Sequence, residues 1–256
     1  MSLLEQLKNA KTPAVLWQGN DGFIFCDGEK MIATDLDLTL GERIQPPSVD
    51  LTELARSLDW LLITHEHEDH FSTATVKILL ENGDCRFVIP KSCEEKARGI
   101  EGLAERSIFA KPGDSLDLSG VPVSCFRAIH GHIGGSVYSG ASTLDCGYRF
   151  TFGGLTFYQP GDTMLLEEHF EMKDIDVLFV SPTEHNMGVE NAVKFIRMIG
   201  PKRVIIQHHS TYFEHPDNLF WAHGFVDELL EALSEEERAR CVVPDQNRII
   251  HLNEVK

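Results

Sequence analysis

The chain has 256 residues, 42% hydrophobic and 25% charged, and 40 acidic against 23 basic side chains leave a formal charge of −17. Such a charge repels phosphate backbones and anionic lipid, so nucleic-acid and membrane-surface partners are not expected. No apolar run approaches the roughly 20 residues of a membrane span, and the opening Met1-Ser2-Leu3-Leu4-Glu5-Gln6-Leu7-Lys8 is too polar for a signal peptide, so a soluble, cytoplasmic protein is expected.

The six cysteines are scattered singly, with no C-x-x-C pair. That usage fits a reducing compartment and small core side chains better than a disulfide framework. At roughly 100–200 residues per domain, and with no linker, low-complexity tract or fixed-period repeat, one domain over 1–256 is expected.

In chain order, short apolar runs bounded by turn residues predict strands at Ala14–Gln18, Phe23–Cys26, Met31–Thr34, Trp60–Thr64, Phe87–Ile89, Ser107–Ala110, Val121–Ala128, Tyr148–Phe152, Leu155–Tyr158, Val177–Val180, Val204–Gln207, Cys241–Val243 and Ile249–Leu252. Gly153-Gly154, between two alternating runs, predicts a tight hairpin. Helices are predicted from an N-cap at Ser72 to about Glu81, over Val189–Ile199 with Gly200-Pro201 as the stop, and from Asn218 to about Arg238. In the last of these Glu235-Glu236-Glu237 reads as a solvated face. Strands predominate and helices fall between strand groups, which implies packed sheets covered by helices, an α+β fold.

Twelve histidines are unusual, and their placement matters more than their number. The strand ending at Thr64 delivers His65-Glu66-His67-Glu68-Asp69-His70. In extended chain His65 and His67, at i and i+2, share a face and can chelate one ion. Asp69 and His70, where the chain turns into the next helix, can reach a second ion. Glu66 and Glu68 then face away. Three more donor groups each follow a predicted strand: His130 and His132, Asp162 in Gly161-Asp162-Thr163, and His208 with His209. Imidazole and carboxylate donors suit zinc, iron or manganese.

The order H-E-H-E-D-H, an isolated His, G-D-T and a late His after a strand resembles the metallo-β-lactamase superfamily across essentially the whole chain. Gly19-Asn20-Asp21-Gly22, Asp35 and Ser181-Pro182-Thr183 bring it closest to the L-ascorbate-6-phosphate lactonase-like branch. The resemblance implies a four-layer αββα sandwich, mixed sheets with helices on the outer faces. It implies two divalent ions, zinc first and manganese or iron as alternatives. His65, His67 and His130 would hold one ion, Asp69, His70 and His208 the other, with Asp162 bridging. His132 competes with His130, and His209 with His208. A bound pair of ions would activate water for attack on a carbonyl or phosphorus centre.

Asp69 would orient the nucleophile as well as bind metal. Asp35 is a candidate acceptor for a ligand imidazole N–H, and His185 a candidate proton donor to the leaving group. The expected activity is hydrolysis of a small anionic molecule: a lactone, a phosphorylated sugar acid or a phosphoester. An iron-dependent oxidoreductase and a non-catalytic metal-binding module are the alternatives, and a nuclease is disfavoured by the charge. Oligomeric state is open, and a homo-oligomer is compatible with the sequence. Loops 133–142 and 183–188 are the expected carriers of specificity.

Overall fold

The computed structural model of the chain describes residues 1–10, 12–39, 41, 43–131, 137, 141–212 and 224–252. Among them, two seven-stranded sheets carry the fold. The first runs β14 (Ile249–His251), β1 (Ala14–Trp17), β2 (Phe23–Cys26), β3 (Met31–Thr34), β4 (Trp60–Leu62), β5 (Arg86–Pro90) and β6 (Ser107–Ala110). The second runs β13 (Cys241–Val242), β12 (Arg203–Ile206), β11 (Val177–Val180), β10 (Leu155–Gln159), β9 (Cys146–Phe152), β8 (Pro122–Arg127) and β7 (Ser115–Asp117). Each sheet has an antiparallel half and a parallel half. Pairing is antiparallel from β14 to β3 and from β7 to β10, then parallel from β3 to β6 and from β10 to β13.

Burial on both faces explains the unbroken apolar runs of β1, β2 and β11, whose residues, like those of β3, are all buried. Between the sheets, Phe23, Phe25, Trp60 and Leu62 meet Tyr148, Phe150, Phe157 and Phe179. Phe25 sets its ring edge-on to Phe150, Phe157 and Phe179, an arrangement aromatic quadrupoles favour.

On the outer face of the first sheet lie α1 (Leu3–Lys8), α2 (Leu51–Ala55), α3 (Thr73–Asn82) and α4 (Glu94–Arg98), burying Leu4, Leu7, Leu54, Val76, Leu79 and Ala97. On the outer face of the second, α5 (Gly188–Ile199) and α6 (Val226–Ala232) bury Phe195, Ile196 and Leu229. The layers are therefore αββα. No helix among the described residues is long and apolar enough to cross a membrane.

Local signals account for most boundaries. Gly153 and Gly154 both have positive φ, 55° and 80°, and close the β9–β10 hairpin with Phe152 opposite Leu155. The hydroxyl of Ser72 accepts from the Thr75 N–H and starts α3. Gly200, left-handed at φ 60°, ends α5.

The helix expected over 218–238 differs. Its first residues fall outside those described, and beyond them α6 ends at Ala232. Leu233 is extended and buried, and Ser234 starts α7 (Glu235–Ala239) in a capping box with Glu237. The hydroxyl cap competes with helix continuation, so the apolar stripe stops with α6 and Leu233, and α7 buries no residue. Glu237 is not simply solvated either, since it also pairs with Arg197 at 2.7 Å. The six cysteines are free thiols, five of them buried.

Candidate metal centre

The parallel strands deliver their carboxyl ends to one rim, where open α/β sheets place ligand-binding loops. Asp35 follows β3, His65 follows β4, Asp162 follows β10, His185 follows β11, and His208 follows β12. His130 follows the antiparallel β8. Two inter-sheet bonds hold the two halves of this rim together: the Tyr148 hydroxyl donates to the Ile63 carbonyl at 2.5 Å, and the Cys146 N–H donates to the Thr64 carbonyl at 3.1 Å. Gly161 lies so close to Thr64 that a Cβ there would come within 2.7 Å of the Thr64 Cβ, and its φ is +64°. Glycine is what allows Asp162 to approach His65.

Among the described residues, potential ligand atoms form overlapping clusters, each within 4.8 Å: His65, His67 and His130; His65, His70 and Asp162; Asp69, His70 and His208. The Oδ2 oxygen of Asp162 joins the two sides, at 3.5 Å from the Nε2 of His70, 3.5 Å from that of His130 and 3.2 Å from that of His208. His65 Nε2 and His67 Nδ1 are 3.0 Å apart. The Nε2 of His70 is buried without a hydrogen-bond partner while facing Asp69 and Asp162 oxygens, each at 3.5 Å. Buried nitrogens and carboxylates converging in this way fit divalent cations.

The electrostatics point the same way. Burial pushes the Asp162 carboxyl up, but His208, His70 and His130 outweigh it and hold the group well below the ordinary carboxylate range. His208 is raised to about 9, against the cost of burial, chiefly by Asp162, and His70 is raised by Asp69 and Asp162. His65 and His130 go the other way: burial drives His65 well down and His130 to about 4. Without an ion, the charged forms of His70 and His208 are thus favoured beside Asp162, while burial favours the neutral forms of His65 and His130. Cations would supply the same balancing charge while leaving every imidazole free to coordinate.

Other side chains fix these groups. Asp35, fully buried at φ 40°, accepts from the Thr64 N–H at 2.8 Å and the Thr64 hydroxyl at 2.6 Å, and its Oδ2 lies 3.0 Å from His70 Nδ1. That contact directs Nε2 of His70 toward the cluster. Asn186 donates to Asp162 Oδ1 at 2.9 Å, leaving Oδ2 for the imidazoles. Asn20 donates to Asp69 Oδ2 at 2.7 Å. Asn20 and His208 share with Asp35 a left-handed backbone, at φ 41° and 58°. Such conformations are costly for non-glycine residues and persist where the surroundings enforce them.

Sequence reasoning assigned no role to Asn20 or Asn186, nor to Asp21, a buried acid that accepts from Gln207 at 2.8 Å and whose carboxyl burial pushes up. The signal for the first and last was the polar pair interrupting the apolar β1–β2 hairpin.

Every proposed ligand, His65, His67, Asp69, His70, His130, Asp162 and His208, lies in this cluster. His132 and most of the stretch 133–142 lie outside the described residues, as do His215 and His223. His209 does not join: its ring stacks on Trp17 with centroids 4.8 Å apart. His185 comes to the rim, its ring 5.1 Å from that of His208 and 6.2 Å from that of His130. Glu68 faces away, accepting from the Thr73 N–H and hydroxyl.

Residues 35–209 match a family model described as a beta-lactamase superfamily domain. A "UPF0173 metal-dependent hydrolase" of Methanosarcina mazei is 26% identical over 207 residues, 77% of this chain and 84% of that protein. A "Probable L-ascorbate-6-phosphate lactonase UlaG" of Escherichia fergusonii is 26% identical over 178 residues, covering 61% of this chain but only 50% of that protein. Among solved structures, CmlA, a diiron beta-hydroxylase from Streptomyces venezuelae, superposes with a TM-score of 0.69 over 95% of this chain and 55% of its own, at 13% identity.

Proposed function

The chain belongs to the beta-lactamase superfamily, and from that premise we propose that it is a hydrolase using two divalent ions, zinc first, on a small anionic lactone or phosphoester. The observation that carries the reading is Asp162 Oδ2, within 3.5 Å of imidazole nitrogens from three separate loops. In this reading His65, His67 and His130 hold one ion, Asp69, His70 and His208 the other, and Asp162 is shared. The ions would lower the pKa of water and offer charge to a developing oxyanion. The name of the lactonase relative supports the substrate class.

The chain's own groups would do the rest. Asp69 has a side chain 27% exposed, the most open of the carboxylates in the cluster, so it can orient water entering from solvent. Asn20 would keep its carboxylate turned toward that water. His185, beside His208 and His130, would give its proton to the departing oxygen. Asp35 would hold His70 in one tautomer throughout.

The test is a panel of lactones, phosphodiesters and thioesters, with Asp69→Asn as blank. One class should turn over, and the variant should lose roughly 100-fold or more. Near-wild-type turnover in Asp69→Asn would overturn the scheme. Likeness to a diiron hydroxylase favours one second reading, oxidation at bound iron, because a fold does not choose its chemistry. Visible iron absorbance and oxygen consumption, without hydrolysis, would select it.

A further inference from the structure

The loop that carries four of the proposed ligands is pinned from outside by one cation. Lys96, on α4, donates to the Glu66 carbonyl at 2.7 Å and to the Phe71 carbonyl at 3.0 Å. Its third partner is the Glu68 carboxylate at 3.0 Å, and its ammonium lies 4.6 Å from the centre of the Phe71 ring. An ammonium has three donors, and all three are engaged. The two carbonyls bracket His67, Asp69 and His70. Within the bracket, the N–H groups of His70 and Phe71 both donate to the His67 carbonyl, which leaves Lys96 as the partner of the flanking carbonyls.

We propose that Lys96 is a positioning residue: its ammonium fixes the spacing of His67 against Asp69 and His70 and so sets the affinity of the site for divalent cations. This rests on the reading of that loop as metal-binding. Charge alone argues for the opposite effect. A cation beside a dication site repels the ion, so removing it should tighten binding. Positioning requires that removing it weaken binding, and the two effects therefore differ in sign.

The probe is cobalt(II), titrated into metal-free wild type, Lys96→Met and Lys96→Arg and followed by visible absorbance. Lys96→Met should bind about 10–100-fold more weakly, the usual cost of losing a group that orients ligands. Lys96→Arg keeps the charge and can reach both carbonyls, and should recover most of the affinity. If Lys96→Met does not fold, Lys96→Gln serves in its place and should also bind more weakly than wild type. Unchanged or tighter cobalt binding in the uncharged variant would overturn the proposal, even if its melting temperature fell. Absence of cobalt binding in the wild type would instead overturn the metal reading, and this proposal with it.

Discussion

The Nδ1 nitrogen of His70 lies 3.0 Å from Oδ2 of Asp35, with both side chains fully buried. Asp35 also takes the N–H and hydroxyl of Thr64, so one carboxylate orients both the imidazole and the residue preceding His65. Asp35→Asn replaces an acceptor with an amide that must turn an N–H toward one of these donors. Zinc affinity, read by chelator competition, should fall about 10–100-fold. The metal-free protein should also melt lower.

Asn186 offers its amide to Asp162 Oδ1, Ser181 Oγ and Thr183 Oγ1 at 2.9, 3.1 and 3.2 Å. Asn186→Ala leaves buried acceptors without their donor, at a cost of about 1–3 kcal/mol. Denaturant unfolding of the metal-free protein should show that loss. It should also show a weaker gain on adding zinc, because Asp162 is no longer held.

Gly161→Ala should be more damaging than its size suggests. The new methyl would meet Thr64 at 2.7 Å, and φ +64° disfavours any side chain. A loss of about 1–3 kcal/mol is expected from overpacking and backbone strain. Thermal unfolding with and without zinc should reveal a drop in both states.

His169 lies away from the cluster, between the Leu166 N–H and the Tyr158 hydroxyl at 3.1 Å each, and burial lowers it to about 4. Its folded value is thus below the value of about 6.5 expected in the unfolded chain. Between these values the unfolded state binds the extra proton, so stability is whole above pH 6.5 and declines toward pH 4. The difference is worth on the order of 3 kcal/mol. Urea midpoints across this range should fall with acid, and fall less in His169→Gln.

The strands were readable because β1, β2 and β11 are apolar throughout and Gly153-Gly154 allows little but a hairpin. The ligand cluster was readable because His65, His67, Asp69 and His70 are adjacent in sequence. What escaped has physical reasons. The edge strand β7 has two exposed residues of three and no apolar pattern. The short helix α4, sequence Glu-Glu-Lys-Ala-Arg, has no stripe. Lys96 and Asn186 act on a backbone carbonyl or a carboxylate far away in sequence, and such contacts leave no local mark. The break at Ser234 was marked, since Ser234 and Glu237 have capping-box spacing, but Leu229, Leu230 and Leu233 run up to it, and Glu235-Glu236-Glu237-Arg238-Ala239 beyond it suits a helix as well.

Anomalous X-ray diffraction from zinc-loaded crystals tests the central claim most directly. Two peaks per chain are expected, one among His65, His67 and His130, the other among Asp69, His70 and His208, with Asp162 touching both. Peaks elsewhere, or none within bonding reach of Asp162, would contradict it.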